Sequence, residues 1–250
     1  MARLEINTTL QGSLIRRYWR DGKVVLYAAC QPVLDLAGQI DAGDLKRRTR
    51  MLLIAKPVED YLTGLWVATG SVFAKETVNQ IQHAQAKSDE WDFWEDHFRR
   101  YIRERSAAKL LEIMDTQAEM VNALIDAIVE DALTEGASIY EVQRALREDL
   151  PGRLTEITKY QAERIARTEV IGASNTGSFE GAKESGVALA KNWSTSGLPG
   201  IRQTHLDYEA LGSVPMDYEY ATGLLYPGDP DCPDGSDIIN CRCSPTYETD

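Results

Sequence analysis

Four residues near the carboxyl end have side chains that bind transition metals. They are one imidazole and three thiols: His205, Cys232, Cys241 and Cys243. Three thiolates and an imidazole complete a closed tetrahedral zinc site. The surrounding segment is rich in Gly and Pro, so a metal would add stability that a small core does not supply. The sequence therefore predicts a candidate Zn²⁺ site.

Other interpretations of these cysteines stay open. Reduced thiols also pack as small apolar side chains, and a disulfide is disfavoured in a chain made in the cytoplasm. The acidic segment 229–235 does not match a calcium-binding EF-hand loop, because Pro233 and Asp234 stand where that loop needs an oxygen ligand and a glycine. Cys30 stands alone in a predicted helix and is expected to be buried.

The elements that must position these residues are mainly helical over the first two thirds of the chain, where Gly and Pro are rare and apolar residues recur at helical spacing. The predicted helices cover 24–40, 44–69, 71–87, 88–133, 138–150 and 154–184. Pro32 and Pro57 are expected to kink or break the first two, and Pro151 with Gly152 is expected to end the fifth.

The predicted helix 88–133 is the longest, at nearly 70 Å if each residue rises about 1.5 Å, and a helix of that length needs neighbouring helices to pack against. Its apolar stripe is expected to be core, with an exposed face for a partner subunit as the alternative. The stripe consists of Trp91, Trp94, Phe98, Tyr101, Leu110, Ile113, Met120, Leu124 and Ile128.

After Gly186 the composition changes to Gly, Pro, Tyr and Asp, with short apolar pieces that suit brief strands. The predicted fold class is α+β: a mainly α-helical N-terminal region with long helices, then a small α+β C-terminal domain with short strands and many turns. We place the boundary near Gly152, which gives 1–152 and 153–250.

The formal net charge of −12 disfavours broad attraction to nucleic acid. From Asp207 onward the sequence has ten acidic residues and one basic residue, Arg242. This composition indicates a solvated acidic surface or a surface for a basic partner or cation. Basic clusters at 16–20 and 46–50 leave contact with DNA open as an alternative. Neither a membrane-spanning stretch nor a secretory leader is visible, so we expect a soluble chain made in the cytoplasm.

Seven short motifs follow one another between residues 166 and 243. They are ARTE (166–169), ASNTG (173–177), KNW (191–193), RQTH (202–205), LGSVP (211–215), YPGDP (226–230) and NCRC (240–243). In this order they resemble the phage Mu F-like head morphogenesis family, over about residues 155–246. The residues that carry the resemblance include Arg167, Thr168, Glu169, Asn175, Gly177, Trp193, Arg202, Tyr226, Pro227, Asp229, Asn240 and Arg242.

The resemblance implies a minor capsid protein of a tailed bacteriophage, present in few copies in the virion head near the portal vertex and needed for head morphogenesis. Its implied partners are the portal protein, the major capsid protein or both, with packaged DNA as an alternative contact. Many relatives carry Asp-x-Arg-x-Arg ahead of the histidine. Here Leu198, Gly200 and Arg202 occupy those places, so any charge pairing by the missing groups is not expected.

The motif residues also allow structural interpretations of their own. Gly177 and Pro227 are expected to set tight turns. Arg167 and Glu169 are too close in sequence to share a helix face, so each is expected to reach a different partner, through a buried ion pair or hydrogen bonds to the following loops.

No catalytic residue is assigned, and we expect no enzyme. The sequence lacks a nucleophile elbow, a phosphate loop, a dinucleotide fingerprint and a zinc-protease motif. The nearest enzyme pattern is that of ADP-ribosyltransferases, with Arg167, the segment 194–196 and the acids Asp217 and Glu219. The acids lie closer to 194–196 than that pattern leads us to expect, so a transferase is kept only as an alternative.

Overall fold

The computed structural model describes residues 4–82 and 89–249. The helices are α1 (Thr8–Ala29), α2 (Gln31–Leu36), α3 (Ala42–Leu52), α4 (Lys56–Gln82), α5 (Asp89–Thr134), α6 (Ile139–Glu184), α7 (Gln203–Ala210) and α8 (Gly235–Ile238). The strands are β1 (Leu4–Glu5), β2 (Leu189–Ser194), β3 (Val214–Pro215) and β4 (Ser244–Thr249). This confirms the predicted mainly helical α+β class. Within the described ranges, no helix combines the length and the apolarity that crossing a membrane requires.

Two prolines mark helix boundaries as predicted. Pro32 lies in the first turn of α2, directly after α1 ends, and Pro57 is the second residue of α4. Proline suits the first turn of a helix because the N–H it lacks would have no partner there. The helix predicted over 71–87 is the second half of α4, and its positions 83–87 lie outside the described residues.

The predicted helix end at Pro151 and Gly152 is wrong, because α6 continues through both residues. A proline inside a helix costs about 3 kcal/mol, since it removes one hydrogen bond and crowds the preceding turn. Leu146, Leu150 and Leu154 lie one turn apart along α6 and are at most 1% exposed. Burial of this apolar row on both sides of the proline offsets its cost and keeps the helix in register.

Helix α5 has 46 residues and confirms the long helix predicted from the sequence. Its predicted core stripe is only partly right, and the side chain of Trp91 lies outside those described. The buried apolar side chains of α5 are Trp94, Phe98, Ile102, Met114, Ala118, Val121, Ile125, Ile128 and Ala132. Apolar residues occupy neighbouring positions such as 113 and 114, so the sequence pattern fits either of two adjacent rows along the helix. Packing decides which row is buried.

The chain forms two compact units, and neither is a continuous stretch. Unit 1 contains Met1–Tyr18, Thr63–Ile102 and Arg164–Asp250, and unit 2 contains Trp19–Leu62 and Arg103–Glu163. This division differs from the predicted domains 1–152 and 153–250, and position 152 falls inside unit 2. Helices α4, α5 and α6 each contribute residues to both units, which composition along the sequence does not indicate.

Unit 2 is helical and buries the isolated thiol of Cys30. The side chain of Cys30 is fully buried, and the amide of Gln117 donates a hydrogen bond to it at 3.1 Å. Ion pairs join Lys46 to Asp126 and Arg153 to Asp131 at its surface. The expected burial of Cys30 is confirmed.

Unit 1 contains a four-stranded antiparallel sheet in the order β1-β4-β2-β3. Strand β2 pairs along its whole length with β4, from Leu189 opposite Thr249 to Ser194 opposite Ser244. On β2, the side chains of Lys191 and Trp193 are each 1% exposed. Strand β2 therefore holds the large, buried ring of Trp193 shortly before the segment 205–243, which carries the candidate ligands.

Glycines in unit 1 allow α6 to approach the backbone of α4. A Cβ atom added at Gly177 would collide with the carbonyl group of Gly70, and one added at Gly181 would collide with that of Ala74. Gly177 thus serves close helix packing, and the prediction that it sets a turn is wrong. The prediction failed because the crowding comes from a residue more than a hundred positions away in the sequence.

Candidate metal centre

His205 is held in place by an aromatic cluster. It lies in the first turn of α7, is 1% exposed, and its ring centroid is 4.9 Å from that of Trp193 on β2. Tyr208 and Tyr220 each pack against Trp193 with centroids 5.0 Å apart. These contacts restrict the orientation of the imidazole, which is a condition for a preorganised ligand.

The loop that carries two of the thiols is anchored to α6 through Asn240. Its backbone N–H donates a hydrogen bond to Thr168 Oγ1 at 3.1 Å, and its side-chain Oδ1 accepts one from Arg167 at 3.1 Å. Asn240 has a φ of 59°, a left-handed conformation that Asn adopts more readily than most residues. The anchored turn brings Cys241 and Cys243 next to His205.

These three residues form what we call the His-Cys-Cys cluster. His205 Nδ1 is 3.8 Å from Cys241 Sγ and 3.5 Å from Cys243 Sγ, and the three ligand atoms all lie within 4.8 Å of one another. Zinc bonds of about 2.3 Å to sulfur and about 2.0 Å to nitrogen, at tetrahedral angles, separate the nitrogen from each sulfur by about 3.6 Å. The buried cluster could therefore hold a metal ion with little movement.

A carboxylate lies on the other side of the imidazole. Asp237 Oδ1 is 3.5 Å from His205 Nε2, and both residues are buried. Among the described residues, neither His205 Nε2 nor the second oxygen of Asp237 has a hydrogen-bond partner. Metal-bound histidines commonly present their second ring N–H to a carboxylate, so Asp237 fits that supporting role.

Cys232, predicted as the fourth ligand, is not part of the cluster. Its Sγ donates a hydrogen bond to the carbonyl oxygen of Asp234 at 3.2 Å, and its backbone N–H donates to Asp229 at 3.2 Å. The turn closed by these bonds holds the thiol apart from the ligand group. The predicted four-ligand set is therefore reduced to three protein ligands, which leaves a fourth position for another ligand.

The two clustered thiols differ in acidity. A hydrogen bond from the Cys241 thiol lowers the pKa of Cys243, and His205 and Trp193 contribute in the same direction, while burial opposes them. The pKa of Cys241 is raised because it retains the proton of that hydrogen bond and because it is buried. Burial also raises the pKa of the Cys30 thiol, to about 11.

A cleft of about 230 Å³ borders the His-Cys-Cys cluster. Its walls include all three cluster residues and the arginines Arg167, Arg202 and Arg242. Arg202 Nη2 donates hydrogen bonds to the carbonyl oxygens of Ser236 at 2.6 Å and Ile239 at 2.7 Å. The arginines predicted as motif residues therefore share one concave surface with the candidate ligands.

Asn175, also predicted as a motif residue, joins α6 to two separate loops. Its side-chain amide donates hydrogen bonds to the carbonyl oxygens of Pro227 at 2.8 Å and Cys243 at 2.9 Å. Nearby, the hydroxyls of Thr176 and Tyr226 are 3.1 Å apart. These buried contacts fix the loops that begin at Tyr226 and at Asn240.

The remaining motif residues also have structural partners. Glu169 is 3% exposed and accepts a hydrogen bond from the indole of Trp66 at 2.8 Å, whereas Arg167 donates to Asn240, so the two residues reach different partners as predicted. Only Arg167 bonds to a following loop, because Trp66 lies on the preceding helix α4. The carboxylate of Asp229 accepts hydrogen bonds from the backbone N–H groups of Leu225 and Asp231. These hydrogen bonds stabilise the turn that begins at Tyr226. Pro227 lies in this turn, in agreement with the turn role predicted for it.

Sequence reasoning missed Asp237 and did not separate Cys232 from the other thiols. Asp237 belongs to the one-turn helix α8, whose first turn is capped by Asp234. Nothing in the spacing of acidic residues distinguishes Asp237 from its neighbours. Its contact with His205 depends on how α7 and α8 pack.

The residues of the transferase alternative are only partly brought together. Arg167 and Ser196 line the same cleft, but Asp217 and Glu219 are not among its lining residues. Thr195 instead donates two hydrogen bonds to Glu209 at 2.8 Å.

Neither a protein-family model, nor a curated protein, nor a solved structure matches this chain. Its function is therefore inferred from the residues of the site and from the motifs quoted above.

Proposed function

We propose that this chain is a minor head protein of a tailed bacteriophage, with a structural role in head morphogenesis at or near the portal vertex. The observation that carries the proposal is the ordered set of motifs between residues 166 and 243. Its structural rather than catalytic character is supported by what those motif residues contact. Asn175, Arg167 and Thr168 on α6 bond to the loops at 226–229 and 240–243, so they stabilise unit 1 itself.

The partners in this proposal are the portal protein, the major capsid protein or both. Exposed apolar side chains on unit 2 supply candidate contact positions, and they include Val24, Met51, Ile139 and Tyr140.

Phage particles purified from cells that produce this chain provide the test. Mass spectrometry of particles separated into shell, portal and ejected fractions should find the chain in low copy number with the portal fraction. Recovery with the ejected DNA would favour the alternative of an internal protein associated with DNA. Absence from purified particles would contradict both.

We further propose that the His-Cys-Cys cluster holds Zn²⁺. Two thiolates and an imidazole are ligands that zinc accepts readily, and the spacing of His205, Cys241 and Cys243 fits a tetrahedral ion. The carboxylate of Asp237 beside His205 adds the expected outer support. When bound, the ion would cross-link α7 to the loop that precedes β4.

Elemental analysis of the purified protein tests this metal. We expect about one zinc per chain, lost in Cys243→Ser and kept in the matched variant Cys30→Ser. Stoichiometric zinc in Cys243→Ser would place the metal elsewhere.

The absence of a catalytic role is tested with NAD, because the transferase pattern is the nearest enzymatic alternative. The purified chain is expected to consume no NAD. Turnover that disappears in Glu219→Gln would replace the structural proposal with an enzymatic one.

A further inference from the structure

We infer that the cleft beside the His-Cys-Cys cluster binds a small phosphate-type oxyanion through Arg167, Arg202 and Arg242. This inference goes beyond the structural role proposed above and does not depend on it. It rests on the charge, the side-chain anchoring and the size of the cleft.

The charge of the cleft is opposite to that of the chain. The chain carries a net charge of −12, yet three arginines line this one surface and none of the described residues that line it is acidic. After position 206 the only base is Arg242, and it lies here. A concave surface that gathers one sign of charge concentrates ligands of the opposite sign. Guanidinium groups in particular pair with phosphate oxygens through two parallel hydrogen bonds.

Two of the arginines are held in position by hydrogen bonds. Arg202 donates to the carbonyl oxygens of Ser236 and Ile239, and it also lies 4.0 Å from the carboxylate of Asp237. Arg167 donates to the amide oxygen of Asn240. These bonds orient the two guanidinium groups, whereas Arg242 is exposed and can turn towards a ligand.

Helix α7 adds to the positive potential. Arg202 is its N-cap residue and makes no side-chain capping bond. The positive end of the helix dipole favours a bound anion. Gly200 and Ile201, which lead into the helix, also line the cleft.

The size of the cleft selects among anions. Its volume of about 230 Å³ is below the roughly 300 Å³ at which pockets begin to hold drug-sized ligands. Inorganic phosphate, or the phosphate of a small ester or of a nucleic-acid end, fits this space. An extended nucleic-acid strand does not.

Calorimetric titration of the full chain with inorganic phosphate tests the inference. We expect saturable binding that Arg242→Gln weakens about tenfold, as loss of one charged hydrogen-bonding group predicts, with Arg242→Lys intermediate. Arg242 is exposed, and unchanged thermal melting of the variants confirms that they fold. Arg16→Gln, the same charge change at an exposed position of unit 1 outside the cleft, should leave binding unchanged.

Two competition titrations identify the source of the phosphate. A 5′-phosphorylated oligonucleotide that competes with phosphate, beside an unphosphorylated one that does not, would assign the site to nucleic-acid ends. Competition by neither assigns it to free phosphate or small esters, and both results support the inference. The same titration after chelation should retain binding, because the arginines carry it.

Three results would overturn the inference. The first is no phosphate binding, and the second is equal weakening by Arg16→Gln and Arg242→Gln, which would show only general charge. The third is binding abolished by chelation but unaffected by Arg242→Gln, which would assign the anion to the metal alone. None of these results bears on whether the chain occurs in phage particles.

Discussion

Two regions of unit 1 are stabilised in different ways, although α6 contributes to both. Where α6 meets α4, Gly177 and Gly70 allow the two backbones to touch, and shape decides the contact. Around the His-Cys-Cys cluster, short loops are held by hydrogen bonds that the Asn175 amide donates and that the Thr168 hydroxyl accepts. The first region depends on volume, and the second depends on which donors and acceptors are present.

This difference teaches where substitutions should act. A larger side chain should damage the helix contact whatever its chemistry, because close-packed backbones cannot move apart locally. In the loops around the cluster an isosteric change that removes one polar atom should also cost stability, because it leaves the other group of the hydrogen bond without its partner.

Metal removal should have the largest effect, and only on the cluster region. If Zn²⁺ binds as proposed, a chelator should remove about 4 kcal/mol or more of stability, the linkage expected for a metal present at a thousand times its Kd. Thermal melting with and without chelator measures the loss. Cys243→Ser should melt at the lower temperature and no longer respond, while Cys30→Ser, at a buried thiol of unit 2, should keep the response. An identical melting temperature for the wild-type chain in both conditions would contradict the metal proposal.

Gly177→Ala adds a single methyl group at the helix contact and should lower the stability of the chain. The new Cβ would collide with the carbonyl of Gly70, and forced overpacking costs about 1–3 kcal/mol or more. Gly152→Ala in the same helix is the matched control, because its added Cβ meets no atom within 4 Å. The control should be stabilising by up to about 1 kcal/mol from helix propensity. Equal denaturant midpoints for the two variants would disprove the close contact.

Lys191 should make stability rise with pH. It is buried, its ammonium donates to the carbonyls of Met216 and Tyr218 at 2.7 Å, and desolvation lowers its pKa from 10.5 to about 8. Between about pH 8 and 10.5 the folded chain loses this proton while the unfolded chain keeps it. The unfolded state then binds more protons, so the free energy of unfolding increases with pH.

The expected gain from Lys191 is about 2 kcal/mol between pH 8 and 10. Urea unfolding over that range measures it as the difference in slope between the wild-type chain and Lys191→Met. The comparison is needed because burial raises the pKa of Cys30 to about 11, which opposes the gain in both chains above about pH 9. The range stops at pH 10 because burial raises the pKa of Tyr220 to about 12, which opposes the gain at higher pH. A variant with the same slope as the wild-type chain would show that another group is responsible.

Thr168→Val should have the smallest effect, confined to the cluster region. The substitution keeps the volume but removes the hydroxyl that accepts the hydrogen bond of the Asn240 N–H, which is worth about 1 kcal/mol. The cost should appear as weaker zinc affinity in competition with a chelating dye. Thr168→Ser retains the hydroxyl and should bind zinc as the wild-type chain does. Equal affinity in Thr168→Val would mean that this anchor does not position the thiols.

The residue types of the candidate site could be predicted from the sequence, but the exact set of residues that form it could not. Thiols and an imidazole mark metal-binding chemistry at any position, so His205, Cys241 and Cys243 could be selected from the sequence. The exclusion of Cys232 and the inclusion of Asp237 depend on turns and packing between separate segments. The arginine cleft could not be predicted either, because its three arginines are spread over 75 positions of the sequence, from Arg167 to Arg242.

Features that depend on neighbouring residues could be predicted from the amino-acid sequence. Helical periodicity indicated α5, and the fixed φ of proline placed boundaries near Pro32 and Pro57. Only the tertiary structure decided that α6 continues through Pro151 and that Gly177 serves packing rather than a turn. In both cases the local preference is weaker than the free energy of contacts with residues far away in the chain, and those contacts form only when the whole unit folds.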